Sequence, residues 1–292
     1  MKRMEKWLLA ARPKTLWASV APVALGTTMA YGDGAHHLPS ACIALLCSLL
    51  IQIGTNFAND YFDFERGADT PKRQGPVRVT QAGMVSPKAM RLAAGAIFFL
   101  VFLGGLYLVW RGGWPIALIG IFSIVSGILY TGGPYPIGYL GLGDVFVLVF
   151  FGPVAVGGTY YLQTLEVYPL ILAAGLAPGL LSVAILTVNN LRDIEGDRQA
   201  DKRTLAVRFG KTFAKWEYSV CIVLASSIPA LLYLHSGQHV SSLITLFVLV
   251  AAGPSFRTVF AEAIGPLLNP VLTNTARLLL LYSVLFSIGW LL

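Results

Sequence analysis

Charge is what this sequence has least of. Asp, Glu, Lys and Arg make up only 12% of its 292 residues, where a soluble domain carries about a quarter. That shortage excludes an ordinary soluble globule, a charge-rich disordered segment and a coiled coil. Cysteine is also scarce. Cys42, Cys47 and Cys221 are an odd set inside apolar runs, which excludes a disulfide framework and a metal-binding thiol spacing and leaves small packing residues. The glycine pairs Gly112-Gly113 and Gly132-Gly133 lack the spacing of a phosphate loop and read as turns.

What is present is apolar. Hydrophobic residues make up 56% of the chain, and the mean hydropathy is +0.70. A membrane-spanning helix needs about 20 mostly apolar residues. Apolar runs lie at 16–31, 38–58, 92–110, 114–130, 145–162, 168–189, 216–234, 240–254 and 276–292. They lack the alternation of a barrel, so helices are the remaining way to satisfy backbone groups in lipid. The expected fold is an all-α polytopic membrane protein, a single domain over 1–292 with about nine transmembrane helices. Pro22, Pro153, Pro178 and Pro229 fall inside runs and predict kinks. Arg12-Pro13-Lys14 interrupts the apolar N-terminal stretch, which reads as a retained interfacial helix leading into the first span, with Arg12 and Lys14 at anionic headgroups. With the N-terminus inside, the inner segments hold 20 of the 21 Lys and Arg, and only Arg111 falls outside. The positive-inside bias therefore predicts a cytoplasmic N-terminus and an outer C-terminus.

The acids carry more information than the bases. Eight of the 14 lie in two inner segments, NDYFDFERGAD (59–69) and NNLRDIEGDRQAD (189–201). In helix, Asn189, Asp193, Asp197 and Asp201 stack at four-residue steps, and Asn56, Asn59, Asp60 and Asp63 share a face. Aligning Asn59 with Asn189 places Asp63 on Asp193, so two segments 130 residues apart repeat one layout. Stacked carboxylates repel one another and are costly beside a membrane core. Oxygen-only donors favour Mg²⁺, and the neighbouring Lys72, Arg73, Arg78, Arg198, Lys202, Arg203 and Arg208 suit an anion. Acids for a metal beside bases for an anion point to a metal–diphosphate complex. Solvated loops obeying the positive-inside rule would explain the bases, but not the paired acids. A transporter would place ionisable residues at mid-membrane, whereas these gather at one face. A CDP-alcohol phosphotransferase would need a D-G-x-x-A-R string, and the chain has none. His36, His37, His235 and His239 map to the outer side, where no metal site is expected.

The two motifs resemble those of the UbiA-type membrane prenyltransferases, which carry an N-D-x-x-D type motif after the second span and D-x-x-x-D after the sixth. RPKTL (12–16) and KRTLAVRFG (202–210) resemble that family's flanking segments. GPVRVTQAGMVSP (75–87) and YTGGPYPIGYLGLGD (130–144) resemble the members that act on 1,4-dihydroxy-2-naphthoate in menaquinone synthesis. The second string lacks the Lys/Arg pair typical of the 4-hydroxybenzoate enzymes. Two positions depart from the pattern. Gly67 stands where a further acid is common, with Glu65 and Asp69 nearest, and Asp144 stands where the naphthoate enzymes commonly have Glu.

The resemblance implies Mg²⁺-dependent transfer of a polyprenyl group from its diphosphate to 1,4-dihydroxy-2-naphthoate, with decarboxylation to demethylmenaquinone, at the cytoplasmic face. Homogentisate or 4-hydroxybenzoate as acceptor, or a phytyl donor, are the nearest alternatives. The implied metal ligands are Asp63, Asp193 and Asp197 with Asp60, oriented by Asn59 and Asn189. Lys72, Arg73, Lys202 and Arg203 are the implied diphosphate contacts, between inner loops at about 59–87 and 189–211. Arg78 is matched to the acceptor carboxylate. Tyr130, Tyr135 and Tyr139 form a lid over an allylic cation, which needs aromatic faces and dryness. The expected partners are the two substrates and the lipid bilayer, with no nucleic acid.

Overall fold

The computed structural model describes residues 3–69, 74–261 and 265–292, and among them there is helix and no strand. The helices in chain order are α1 (Arg3–Ala11), α2 (Trp17–Gly32), α3 (Leu38–Glu65), α4 (Pro87–Gly112), α5 (Trp114–Leu129), α6 (Gly143–Val149), α7 (Ala155–Thr164), α8 (Pro169–Gln199), α9 (Leu205–Ser236), α10 (Phe247–Phe260) and α11 (Asn269–Leu291). Each of the nine apolar runs is helical, two of them (145–162 and 240–254) across consecutive helical elements. Among the described residues seven helical segments are long and apolar enough to cross a membrane; α5 is a shorter apolar helix, and α2 has 16 residues. The protein is multi-pass.

Local sequence sets many of the ends. Pro87 and Pro169 occupy first helical turns, where a missing N–H costs nothing. Ser86 and Thr204 cap α4 and α9 by accepting from Ala89 N–H and Val207 N–H. Of the four prolines expected to kink, Pro153 accompanies a break. Gly152 departs from helical angles (φ −111°, ψ −114°) in a π turn over Phe150–Val154 joining α6 to α7. Pro22 and Pro178 lie inside uninterrupted helices, and Pro229 lies in α9 with helical backbone around it. The other break is at Gly210 in α9, whose φ of +86° is open to glycine at no steric cost.

The break at Gly152 lets two backbones meet. A Cβ on Gly179 of α8 would lie 2.6 Å from the Leu148 carbonyl oxygen, and one on Gly152 would lie 2.8 Å from the Gly175 oxygen. Small residues permitting close helix approach are a common packing device in membranes, where apolar burial from lipid supplies little drive. The main core joins α2, α7, α8, α9, α10 and α11 around residues such as Leu25, Tyr160, Leu181, Tyr218 and Phe286. A second cluster packs Ala10 of α1 and Phe57 of α3 against Val79 and Val85 in the loop before α4. On α5 the buried residue is Ile116.

Both acidic segments are helix ends as much as loops. NDYFDFE closes α3, and NNLRDIEGDRQ closes α8. Asp201 lies just past α8, at φ +53°. The ends of α3 and α8 and the start of α4 thus stand together at one end of the bundle. Arg277, counted above in a loop, lies two turns inside α11.

Candidate active site

One cavity of about 870 Å³ runs into the bundle from this end. Asp63, Asp193 and Asp197 line it, together with Asn59, Asn189, Arg78, Lys202, Tyr130 and Tyr139. Its remaining wall is mainly apolar, with Leu106 and Val109 of α4, Ile116 and Ile119 of α5, and Leu162 of α7.

Asp63 is the hub. Its Oδ2 lies 3.1 Å from Arg78 Nη2, and its Oδ1 is 3.1 Å from Lys202 Nζ and accepts from the Tyr139 hydroxyl at 2.8 Å. Both ends of the chain segment between α3 and α4 are fixed to this point, because Arg78 Nε also reaches Asp69 Oδ2 at 3.3 Å. Asp69 therefore supplies the additional buried acid, while Glu65 is exposed. Burial, reinforced by the Asp63 carboxylate, pushes the Tyr139 phenol above the ordinary tyrosine pKa, so the hydroxyl remains a donor at neutral pH. The Lys202 ammonium lies 4.7 Å from the centre of the Tyr139 ring and the Arg66 guanidinium 5.3 Å from it.

The second half of the site is built differently. Arg192, one residue before Asp193, is 3% exposed and pairs with it through Nε at 2.8 Å and Nη2 at 2.7 Å. The same guanidinium donates to Asn189 Oδ1 at 2.7 Å and Asn269 Oδ1 at 3.1 Å. Four bonds of this kind satisfy an otherwise costly buried charge. Arg192 is the polar residue that sequence pattern missed: its signal was the three-residue step from Asn189, hidden among bases assigned to a loop. Asn59 accepts from the Thr131 hydroxyl at 2.8 Å.

Several expected contacts are placed elsewhere. Asp60, expected beside the metal, is 1% exposed and spends both oxygens on backbone, accepting from Val79 N–H at 3.2 Å and Thr80 N–H at 3.0 Å. It anchors the loop that carries Arg78. Arg203, expected at the diphosphate, is exposed and pairs with Asp201, because the left-handed turn at Asp201 sends Lys202 inward and Arg203 out. Arg208 donates to the carbonyls of Arg203 and Leu140, which closes the loop rather than the cavity. Of the three tyrosines, Tyr130 and Tyr139 line the cavity and Tyr135 is exposed. Arg12 and Lys14, assigned to headgroups, line the cavity too. Lys72 and Arg73 lie outside the described residues.

Among the described residues no group of three or more His, Cys, Asp or Glu is clustered as a ready metal cage. The donor chemistry nevertheless fits Mg²⁺, which takes one or two carboxylates plus water and phosphate oxygens rather than an all-protein cage. Asp63, Asp193 and Asp197 offer hard oxygens from two helices to one chamber.

Residues 19–262 match the profile of the UbiA prenyltransferase family. The chain belongs to that family. It is 38% identical to the 1,4-dihydroxy-2-naphthoate octaprenyltransferase of Haemophilus influenzae and 37% identical to that of Escherichia coli, each match spanning 99% of this chain and 96% of the relative. The Mycobacterium tuberculosis protein of the same name is 40% identical, over 97% of this chain and 96% of its own. The fold is that of solved UbiA homologues. The Archaeoglobus fulgidus homologue bound to GPP and Mg²⁺ superposes with a TM-score of 0.70 at 17% identity, covering 98% of this chain and 99% of that one. The apo homologue from Aeropyrum pernix gives 0.68 at 13% identity, over 99% and 98%. The protein is accordingly a membrane prenyltransferase.

Proposed function

We propose that this prenyltransferase moves a polyprenyl group from its diphosphate to 1,4-dihydroxy-2-naphthoate, with loss of CO2, to give demethylmenaquinone. The observation that carries it is the Asp63 hub, where a buried carboxylate holds Arg78, Lys202 and Tyr139 at the polar mouth of an otherwise apolar cavity. Full-length relatives that bear the naphthoate octaprenyltransferase name favour that acceptor over 4-hydroxybenzoate or homogentisate.

Asp63, Asp193 and Asp197 would hold Mg²⁺, with Asn59 and Asn189 orienting them. Bound there, the ion would neutralise the charge that develops on the diphosphate leaving oxygen. Lys202 adds fixed positive charge at the same place, and the Nη1 of the neighbouring Arg78 is buried with no hydrogen-bond partner among the described residues. Charge that is already in position stabilises the ionising C–O bond more than the intact substrate. The apolar wall takes the isoprenoid and keeps water from the allylic cation, and the Tyr130 and Tyr139 rings present π faces beside it. The acceptor carboxylate is drawn to the basic end of the chamber, at Arg78. With nine spans and the N-terminus inside, this mouth opens on the cytoplasmic face, where the positive-inside bias puts it.

Purified protein in detergent, given Mg²⁺, a polyprenyl diphosphate and either dihydroxynaphthoate or 4-hydroxybenzoate, tests the reading. Prenylated naphthoquinone with release of CO2 and diphosphate, abolished by EDTA and restored by added Mg²⁺, is the expected result. Prenylated hydroxybenzoate instead would overturn the acceptor assignment and leave the transfer chemistry standing.

A further inference from the structure

Asp144 is a cavity-lining carboxylate outside both acidic segments. It lies in the first turn of α6, is 7% exposed, and its Oδ1 has no hydrogen-bond partner among the described residues. The first turn of a helix suits an acid. A buried carboxylate oxygen is nevertheless rarely left unmatched. No ion pair among the described residues involves it, and the charge that it shares with Glu217 of α9 is that of a second carboxylate. Among the described residues nothing basic is in place to explain Asp144.

Its position ties it to the reacting centre. The Tyr130 hydroxyl lies over Gly143, 2.7 Å from where a Cβ on that residue would be. The charges that act on Tyr130 are those of Asp144, then Asp197 and Asp63. Asp144 thus borders the same chamber as the two acidic segments, with Phe146, Val147 and Leu186 lining the wall beside it. A neutral ligand group that meets this carboxylate must donate a hydrogen bond. A diphosphate and a carboxylate are both excluded by like charge.

Resting on the naphthoate reading above, we propose that the Asp144 carboxylate accepts a hydrogen bond from the acceptor's 4-hydroxyl and so sets which edge of the ring meets the allylic carbon. The 1-hydroxyl is ruled out as the main contact, since it sits beside the ring carboxylate and would bring two carboxylates together. The 4-hydroxyl lies on the edge away from that group. With Asp144 at one edge and Arg78 drawing the carboxylate at the other, the ring has one favoured orientation. A hydroxyl held by a carboxylate also releases electron density to the ring, which favours attack on a cation.

The test compares 1,4-dihydroxy-2-naphthoate with 1-hydroxy-2-naphthoate, which lacks the hydroxyl in question. Anaerobic affinities for both are measured on the full-length protein and on Asp144→Leu, Asp144→Asn and Asp144→Glu, with the donor KM as control. A hydrogen bond to a charged acceptor predicts that the wild type favours the dihydroxy compound by about tenfold or more. That preference falls to within about twofold in Asp144→Leu, is reduced in Asp144→Asn and is kept in Asp144→Glu, with the donor KM unchanged. Equal losses on both compounds, or a preference that survives in Asp144→Leu, would overturn the assignment while the acceptor reading stands. A wild type that turns over no naphthoate at all would overturn both, and the wild-type assay alone separates these cases.

Discussion

Asp60 and Asp63 lie three residues apart on one helix and are both nearly fully buried, yet substitution should separate them cleanly. Asp60 binds two backbone N–H groups, those of Val79 and Thr80. In Asp60→Asn one oxygen still accepts, but the amide group turns a donor toward the other N–H and orphans it. A buried donor left unmatched, together with a charged bond weakened to a neutral one, costs about 2–3 kcal/mol. Asp60→Ala orphans both and costs about 3–5 kcal/mol on the same basis. The loop then loosens next to Arg78, so activity declines through substrate affinity. Asp63→Asn behaves differently. Tyr139 keeps an oxygen to donate to, Arg78 keeps Asp69, and Lys202 keeps the Tyr139 ring. The fold should survive, while turnover falls steeply to a small residual rate.

Two measurements decide it: thermal melting in detergent, and the Mg²⁺ concentration for half-maximal turnover. Asp60→Asn should melt earlier with its Mg²⁺ requirement within about twofold of wild type, since it supplies no ligand oxygen. Any residual activity of Asp63→Asn should need at least about tenfold more Mg²⁺, the loss expected for a ligand charge. The reasoning is refuted if Asp60→Asn melts like wild type and its Mg²⁺ requirement rises as much as that of Asp63→Asn.

Three further substitutions follow from the geometry. Gly179→Ala puts a methyl 2.6 Å from the Leu148 carbonyl oxygen and should destabilise by about 1–3 kcal/mol; Gly196→Ala, on the same helix with nothing within 4 Å, should instead stabilise by about 0.5–1 kcal/mol, both read by melting in detergent. Tyr139→Phe removes the donor to Asp63 and should lower kcat/KM about tenfold. Burial and then Asp63 raise the pKa of that phenol, so it keeps its proton beyond the usual tyrosine range. Any alkaline fall in activity between pH 8 and 10 should therefore be the same in wild type and Tyr139→Phe; its disappearance in the variant would show that the phenol had been titrating.

Sequence pattern reached some of this site and missed the rest for identifiable reasons. Asn59 with Asp63, and Asn189 with Asp193 and Asp197, are spaced by four, which keeps side chains over one another on a helix, and all five line the cavity. Asp60 was grouped with them by a three-residue step. That step leaves a side chain rotated by about 60° from its neighbour, enough here to turn it from the cavity to the backbone of the next loop. Lys202 and Arg203 read alike in sequence, and a left-handed residue just before them separates their fates. No period predicts such a turn at an aspartate. The helix positions were readable because lipid demands long apolar runs. Their breaks were not, since three of four prolines accompany no break, while α9 breaks at Gly210, 19 residues before its Pro229.

The two half-sites share a layout but not a source of counter-charge, and this difference joins them. The second half neutralises Asp193 from within, through its neighbour Arg192. The first half adds to its own Arg78 the ammonium of Lys202, just past the second segment, and the hydroxyl of Tyr139 from the loop between α5 and α6. That loop is held in turn by the second segment, through Arg203 N–H to the Tyr139 carbonyl at 2.9 Å and Arg208 to the Leu140 carbonyl at 2.8 Å. Three loops from distant parts of the chain therefore converge on one carboxylate. Electrostatic stabilisation of a leaving group works only when the charges need not reorganise as the bond breaks. On the proposed function, a lysine that holds Asp63 and keeps the loops together already stands where the diphosphate's charge would appear, so the contact that assembles the site would also prepare it for ionisation.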